Sequence, residues 1–132
     1  MPREKFPDVH KVKCDHGTDE LLFNVPGTLG WFGNGGSQAL NLACQFDATK
    51  IILLGFDMNL QRGMHWHGRH GHGLNNPKVG SVDRWRKILD AQLPLLSRRG
   101  IEVVIGSPGS SLTAYRKLDL QEAINEFHRA LF

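Results

Sequence analysis

Cysteine is scarce in this chain, which holds only Cys14 and Cys44. Two thiols with neither CxxC spacing nor the density of a disulfide framework point to a reducing, cytoplasmic setting. Long apolar runs are missing too. No stretch approaches the roughly 18 residues of a membrane span, and Met1-Pro2-Arg3-Glu4-Lys5-Phe6-Pro7 contains no apolar signal region. Charge of one sign is also missing: 16 Lys and Arg face 13 Asp and Glu, a formal net charge of +3. Basic residues cluster only at Arg84-Trp85-Arg86-Lys87 and Arg98-Arg99. That scatter argues against a dedicated nucleic-acid binder, which concentrates its cations on one face. There is no internal repeat and no linker, so the 132 residues are expected to form one domain, 1–132. That length is too short for separate cofactor and substrate domains.

What the chain has in excess is glycine, 15 residues, and histidine, 7 residues. The glycines punctuate a readable order of elements. Val9 to Cys14 and Leu21 to Val25 are strand candidates, separated by the turn-like Asp15-His16-Gly17-Thr18. Ser37 is placed to cap a helix running to Phe46, with Ala39, Leu40, Leu42, Ala43 and Phe46 at helical spacing and Cys44 as a small core residue. Ile51 to Leu54 is short, continuous and β-branched, as in a strand covered on both faces. A long Gly- and His-rich loop fills Gly55 to Gly80, and loops of that length in a compact domain are usually functional or disordered. A second helix is expected from Asp83 to Arg99, with Trp85, Ile88, Leu89, Ala91, Leu95 and Leu96 inward and a kink or break at Pro94. Ile101 to Ile105 forms another buried strand, and a last helix from Asp119 to Phe132 turns Leu120, Ala123, Ile124, Phe127 and Leu131 to one side.

Strands separated by helix-length segments imply an α/β three-layer sandwich with a mainly parallel, Rossmann-like sheet. Ligands in such sheets bind at the carboxyl ends of the strands. That edge is expected to gather Gly33 to Ser37, Asp57 to Asn76 and Ser107 to Ser111. Glycines 33, 35 and 36 permit close backbone approach, and the following helix start favours an anion. The turn is neither a Walker loop nor a GxGxxG fingerprint, and a tight turn with a capping serine explains it equally well. Asp57, just past a buried strand, can meet a ribose, a metal or a basic partner, or can serve as a cap. Four imidazoles, His65, His67, His70 and His72, fall within eight residues around Trp66. They fit a divalent metal site of no standard spacing, a general base or phosphate contact, or a polar loop anchored by Trp66. Ser107, Ser110 and Ser111 are ligand candidates, although serines in a Pro/Gly turn more often satisfy their own backbone. Without GxSxG, a serine hydrolase is excluded.

Taken in order, Gly33-Asn34-Gly35-Gly36-Ser37-Gln38-Ala39-Leu40-Asn41-Leu42-Ala43, Lys50-Ile51-Ile52-Leu53-Leu54-Gly55-Phe56-Asp57-Met58, His65-Trp66-His67-Gly68-Arg69-His70 and Gly100-Ile101-Glu102-Val103-Val104 resemble a known group. They look like the latter half of phage and bacterial glycosyltransferase-like proteins related to the α-2,3-sialyltransferases and to motility accessory factors. The resemblance implies a nucleotide-sugar site with Asn34, Gly35, Gly36 and Ser37 at the nucleotide and Asp57 near the sugar or ribose. It places Trp66 at the aromatic position and makes His70 or His67 the general base. Family members carry an N-terminal half with its own Gly-rich nucleotide loop, which this chain begins too late to contain.

The resulting expectation is a nucleotide or nucleotide-sugar binding domain of phage origin, shortened relative to the family and assembled as a homo-oligomer. Its rivals are a non-catalytic protein that sequesters a nucleotide or a host protein, a metal-dependent hydrolase built on the histidine loop, and a purely structural oligomer.

Overall fold

A computed structural model describes residues 10–59 and 78–129. Its elements run β1 (Lys13–Asp15), β2 (Thr28–Gly30), α1 (Gly35–Gln45), β3 (Lys50–Leu53), α2 (Val79–Asp90), α3 (Leu93–Arg98), β4 (Glu102–Ile105), β5 (Arg116–Lys117) and α4 (Leu120–Arg129). Every strand pairing among the described residues is parallel: β1 with β2, and β3, β4 and β5 in that order. The protein is a small α/β fold.

The β-branched runs explain the larger sheet. In register, Ile51 lies beside Val103, Ile52 beside Val104 and Leu53 beside Ile105, so alternate pairs face opposite sides. Leu53, Val103 and Ile105 join Leu40 and Cys44 of α1, Leu89 of α2, Leu96 of α3, and Leu112 and Tyr115, with Ile51 packed against them. Val104 faces the other way, onto Ala123 and Phe127 of α4, with Ile52 and Leu118 alongside. Helices therefore cover both faces of one parallel sheet, the three-layer arrangement the element order predicts. Strand β3 ends one residue earlier than expected, and Leu54 is 52% exposed. The two-residue β5 carries no apolar period to announce it.

Pro94 breaks the second helix as expected, and it sits in the first turn of α3, where its missing N–H costs nothing. Because the chain turns at Ala91–Gln92, Ala91 is exposed and Gln92 is buried, the reverse of a continuous helical face. On α4, Ala123 and Phe127 are buried while Leu120 and Ile124 remain partly exposed.

The N-terminal third departs most from expectation. Residues 21–25 form no strand, and β1 is only Lys13–Asp15. Side-chain amides occupy the backbone groups that a ladder would use. Asn41 Oδ1 accepts from the N–H of Leu22 (3.2 Å) and of Gly30 (2.9 Å), while its Nδ2 donates to the Leu22 carbonyl (2.8 Å). Gln45 accepts from the Gly27 N–H and donates to the carbonyls of Leu22 and Thr28, each at 2.8 Å. Gln92 accepts from the Leu21 N–H at 3.0 Å. The inner face of α1 is consequently Ser37, Leu40, Asn41 and Cys44. Phe46, expected on that face, is 76% exposed just beyond the helix.

Candidate functional site

The rim begins at a strained turn. Phe32 has φ 53 and Gly33 φ 79, and the Gly33 N–H bonds back to the Trp31 carbonyl, closing a three-residue turn about Phe32. Positive φ at a bulky residue costs about 1–3 kcal/mol and persists only where its surroundings impose it. Here Phe32 is fully buried, and its N–H is held by Asp19 Oδ1 at 3.2 Å. Gly33 is required twice over. Besides its left-handed backbone, a Cβ there would sit 2.8 Å from Trp85 Nε1 and 3.4 Å from an Arg84 guanidinium nitrogen. The basic run of α2 thus comes against this turn, with Arg84 also paired to Asp19 at 2.5 Å. Arg86 and Lys87 are instead engaged with Asp83 and Asp90 along the helix.

Asn34, not Ser37, caps α1. Its extended backbone ends the turn, and its Oδ1 accepts from the Ser37 N–H at 2.9 Å. The first two helical N–H groups, those of Gly35 and Gly36, have no intrahelical acceptor. Gly35 is exposed, with open space where a Cβ would stand. Ser37 is 1% exposed, and its hydroxyl has no hydrogen-bond partner among the described residues.

The loop after β3 meets this turn through Phe56. A Cβ on Gly36 would lie 3.0 Å from the Phe56 ring, so glycine allows the two segments to touch. Beyond Phe56, Met58 again takes a left-handed conformation, φ 54. Between them stands Asp57, half-buried, whose carboxylate is hydrogen-bonded by none of the described residues. Its backbone carbonyl is occupied, accepting from Ser111 N–H (2.7 Å) and from Asn59 Nδ2 (2.9 Å).

The loop after β4 completes the convergence, but its serines work as braces. Ser107 Oγ accepts from the Gly55 N–H at 3.2 Å. Buried Ser110 donates to the Phe56 carbonyl and accepts from the Leu112 N–H. Ser111 Oγ bonds Asn59 at 3.0 Å. Lys117 of β5 reaches the Ser110 carbonyl at 2.6 Å, fixing the same loop from the next strand. Asn34, Gly35, Gly36, Ser37, Asp57, Ser107 and Ser110 are therefore brought to one rim, and among the described residues Gly35, Gly36 and Asp57 offer it groups without an internal partner, while the unpartnered Ser37 hydroxyl is buried. His65, Trp66, His67, His70 and His72 lie outside the described residues. Among the described residues, no group of three or more His, Cys, Asp or Glu gathers as a metal site.

Two further features of the rim, Asp19 and the His16–Trp31 stack, were not marked by sequence. Asp19 and Arg84 flank the Phe32–Gly33 turn, and the His16 and Trp31 rings stack with centroids 4.0 Å apart. The signal available for His16 was its turn directly after a strand candidate. A cleft of about 430 Å³ opens elsewhere, where β4 begins, between Leu93, Ile101, Val103, Ala114 and Tyr115. Its position at the amino end of the strands separates it from this chemistry.

No helix among the described residues is long and apolar enough to cross a membrane. No protein-family model, no curated protein and no solved structure matches this chain.

Proposed function

We propose that the protein binds a nucleotide or nucleotide sugar at this rim, in the manner of a sialyltransferase-type glycosyltransferase. The observation that carries the reading is the contact between the start of α1 and the loop that carries Asp57, where a Cβ on Gly36 would lie 3.0 Å from the Phe56 ring. The N–H groups of Gly35 and Gly36 start a helix and favour an anionic phosphate. Next in sequence to Phe56 is Asp57, half-buried, whose carboxylate is an acceptor suited to ribose or sugar hydroxyls. Arg84, beside Gly33 and paired with Asp19, sets a guanidinium at the same turn. In the transferase form of this reading, His70 or His67 activates the acceptor hydroxyl while the turn stabilises the departing phosphate.

Thermal denaturation against a panel of nucleotides and nucleotide sugars, cytidine species included, tests it. A ligand at a hundred times its dissociation constant adds about 2.7 kcal/mol to stability, a rise of several degrees in Tm. A selective rise with a cytidine nucleotide is expected, and no rise with any nucleotide would overturn the proposal. Gly35→Ala sharpens the test, because helix propensity favours alanine by about 0.5–1 kcal/mol. That variant should be at least as stable as the parent when free, yet gain less from the nucleotide because its methyl group fills the open approach.

A further inference from the structure

We propose that the stacked His16–Trp31 pair is a seat for the planar base of the bound nucleotide, an inference that rests on the nucleotide reading above. Strands β1 and β2 run parallel, with Asp15 beside Gly30. The residues that follow, His16 and Trp31, therefore leave the pair at the same carboxyl edge. Their rings stack at 4.0 Å with an interplanar angle of 23°.

The stack is built by its backbone and not by burial. Asp15 accepts from the Gly17 N–H and from the Thr18 hydroxyl, each at 3.0 Å, and fixes the turn that carries His16. The Thr18 carbonyl accepts from the Trp31 N–H at 2.7 Å, which ties that turn to the next strand's end. Gln38 in α1 donates to the Trp31 carbonyl at 2.8 Å, linking the pair to the helix whose first N–H groups would hold the phosphate. Neither ring belongs to an apolar core cluster, His16 is exposed and Trp31 is only half-buried. Two aromatic rings held in a stack outside the core, three residues before the Asn34 cap, offer a preorganised surface to a third ring. Such stacking tolerates any base, because each has a π-face, and contributes tenfold or more in affinity at roughly one ring's worth of contact.

Calorimetric titration with cytidine monophosphate and with ribose phosphate, which lacks the base, separates the ring from the phosphate. The parent protein should bind the nucleotide about tenfold more tightly than ribose phosphate. Trp31→Leu and His16→Ala should erase that preference and leave ribose phosphate affinity unchanged, while Trp31→Phe should retain most of it. His16 is exposed, so its substitution reads the stack even where a Trp31 variant fails to fold. If ribose phosphate binds and the base adds nothing, or the preference survives both His16→Ala and Trp31→Leu, the base seat is wrong and the nucleotide reading stands. If neither ligand binds, both are wrong.

Discussion

The two parallel sheets among the described residues are braced by different physics. The β3–β4–β5 sheet is clamped between apolar side chains on both faces, with Val104 and Ile105 fully buried. The β1–β2 pair and the segment between them also bury Leu21 and Leu29, but their backbone is braced by amides, with Asn41, Gln45 and Gln92 satisfying groups from Leu21 to Gly30. Apolar clamping is non-directional and tolerates adjustment, whereas an amide brace fixes a backbone path atom by atom. The braced segment leads into the Phe32–Gly33 turn, so the rim's geometry depends on the directional kind of support.

The largest effect that would break this comparison is expected from Asn41→Leu. The substitution keeps the branching at Cγ of a fully buried residue, though with more bulk, and leaves the N–H groups of Leu22 and Gly30 without their acceptor. A cost of about 4 kcal/mol in chemical denaturation follows, taking ~2 kcal/mol for each orphaned donor. Hydrogen exchange should show lost protection at Leu22 and Gly30 before Val103 to Ile105 is affected. A loss no larger than ~0.5 kcal/mol, typical of a surface substitution, would mean that the amides do not hold the segment.

Leu53→Ala is the matching probe of the clamped sheet and should cost about 3 kcal/mol, since it deletes a side chain that is 5% exposed in the main apolar cluster. Its exchange signature is the opposite one, a drop across β3 and β4 together. If both variants loosened the same amides equally, the molecule would unfold as one unit and the distinction between its halves would be static only.

The same contrast decides what sequence could reveal. Ile51 to Leu53, Val103 to Ile105 and the Ala123–Phe127 spacing declare themselves because apolar period maps directly onto a buried face. Pro94 declares the helix break for a covalent reason. Asn41 does not, because an amide at a core-facing helical position reads as polar, and its partners lie 11 and 19 residues away. The expectation of a strand at Leu21 to Val25 failed for that reason: those residues are apolar enough, but their hydrogen bonds go to side chains. At the rim, the gathering of Gly33–Ser37, Asp57 and Ser107–Ser111 was legible from strand order alone. The duties of the serines were not, since Ser107 and Ser110 bond backbone groups more than 50 residues distant in sequence, |i−j| being 52 and 54.

A smaller effect tests the turn itself. Asn34→Ala removes the cap on Ser37 N–H and should cost about 1 kcal/mol. If the cap also shapes the phosphate seat, nucleotide affinity should fall by more than that stability loss accounts for when measured on the fully folded variant. An affinity equal to the parent's would confine Asn34 to capping the start of α1.

The smallest effect, absent at neutral pH, comes from Cys44 on the inner face of α1. Burial pushes its thiol from 9.0 up to about 11, although the nearby Arg99 charge opposes the shift. The folded protein therefore keeps this proton at a pH where the unfolded chain has released it. Stability tied to the thiol is complete below the unfolded value near 9 and declines as pH rises toward about 11. Denaturation of the parent and of Cys44→Ala between these limits should give a shallower decline in the variant, because the variant has no thiolate to keep out of the core. The same burial should leave Cys44 unalkylated in the folded protein while half-exposed Cys14 reacts. Equal slopes in the two proteins, or equal labelling of the two thiols, would mean that the α1 face opens readily to solvent. The amide brace one turn away at Asn41 would then be weaker than its geometry requires.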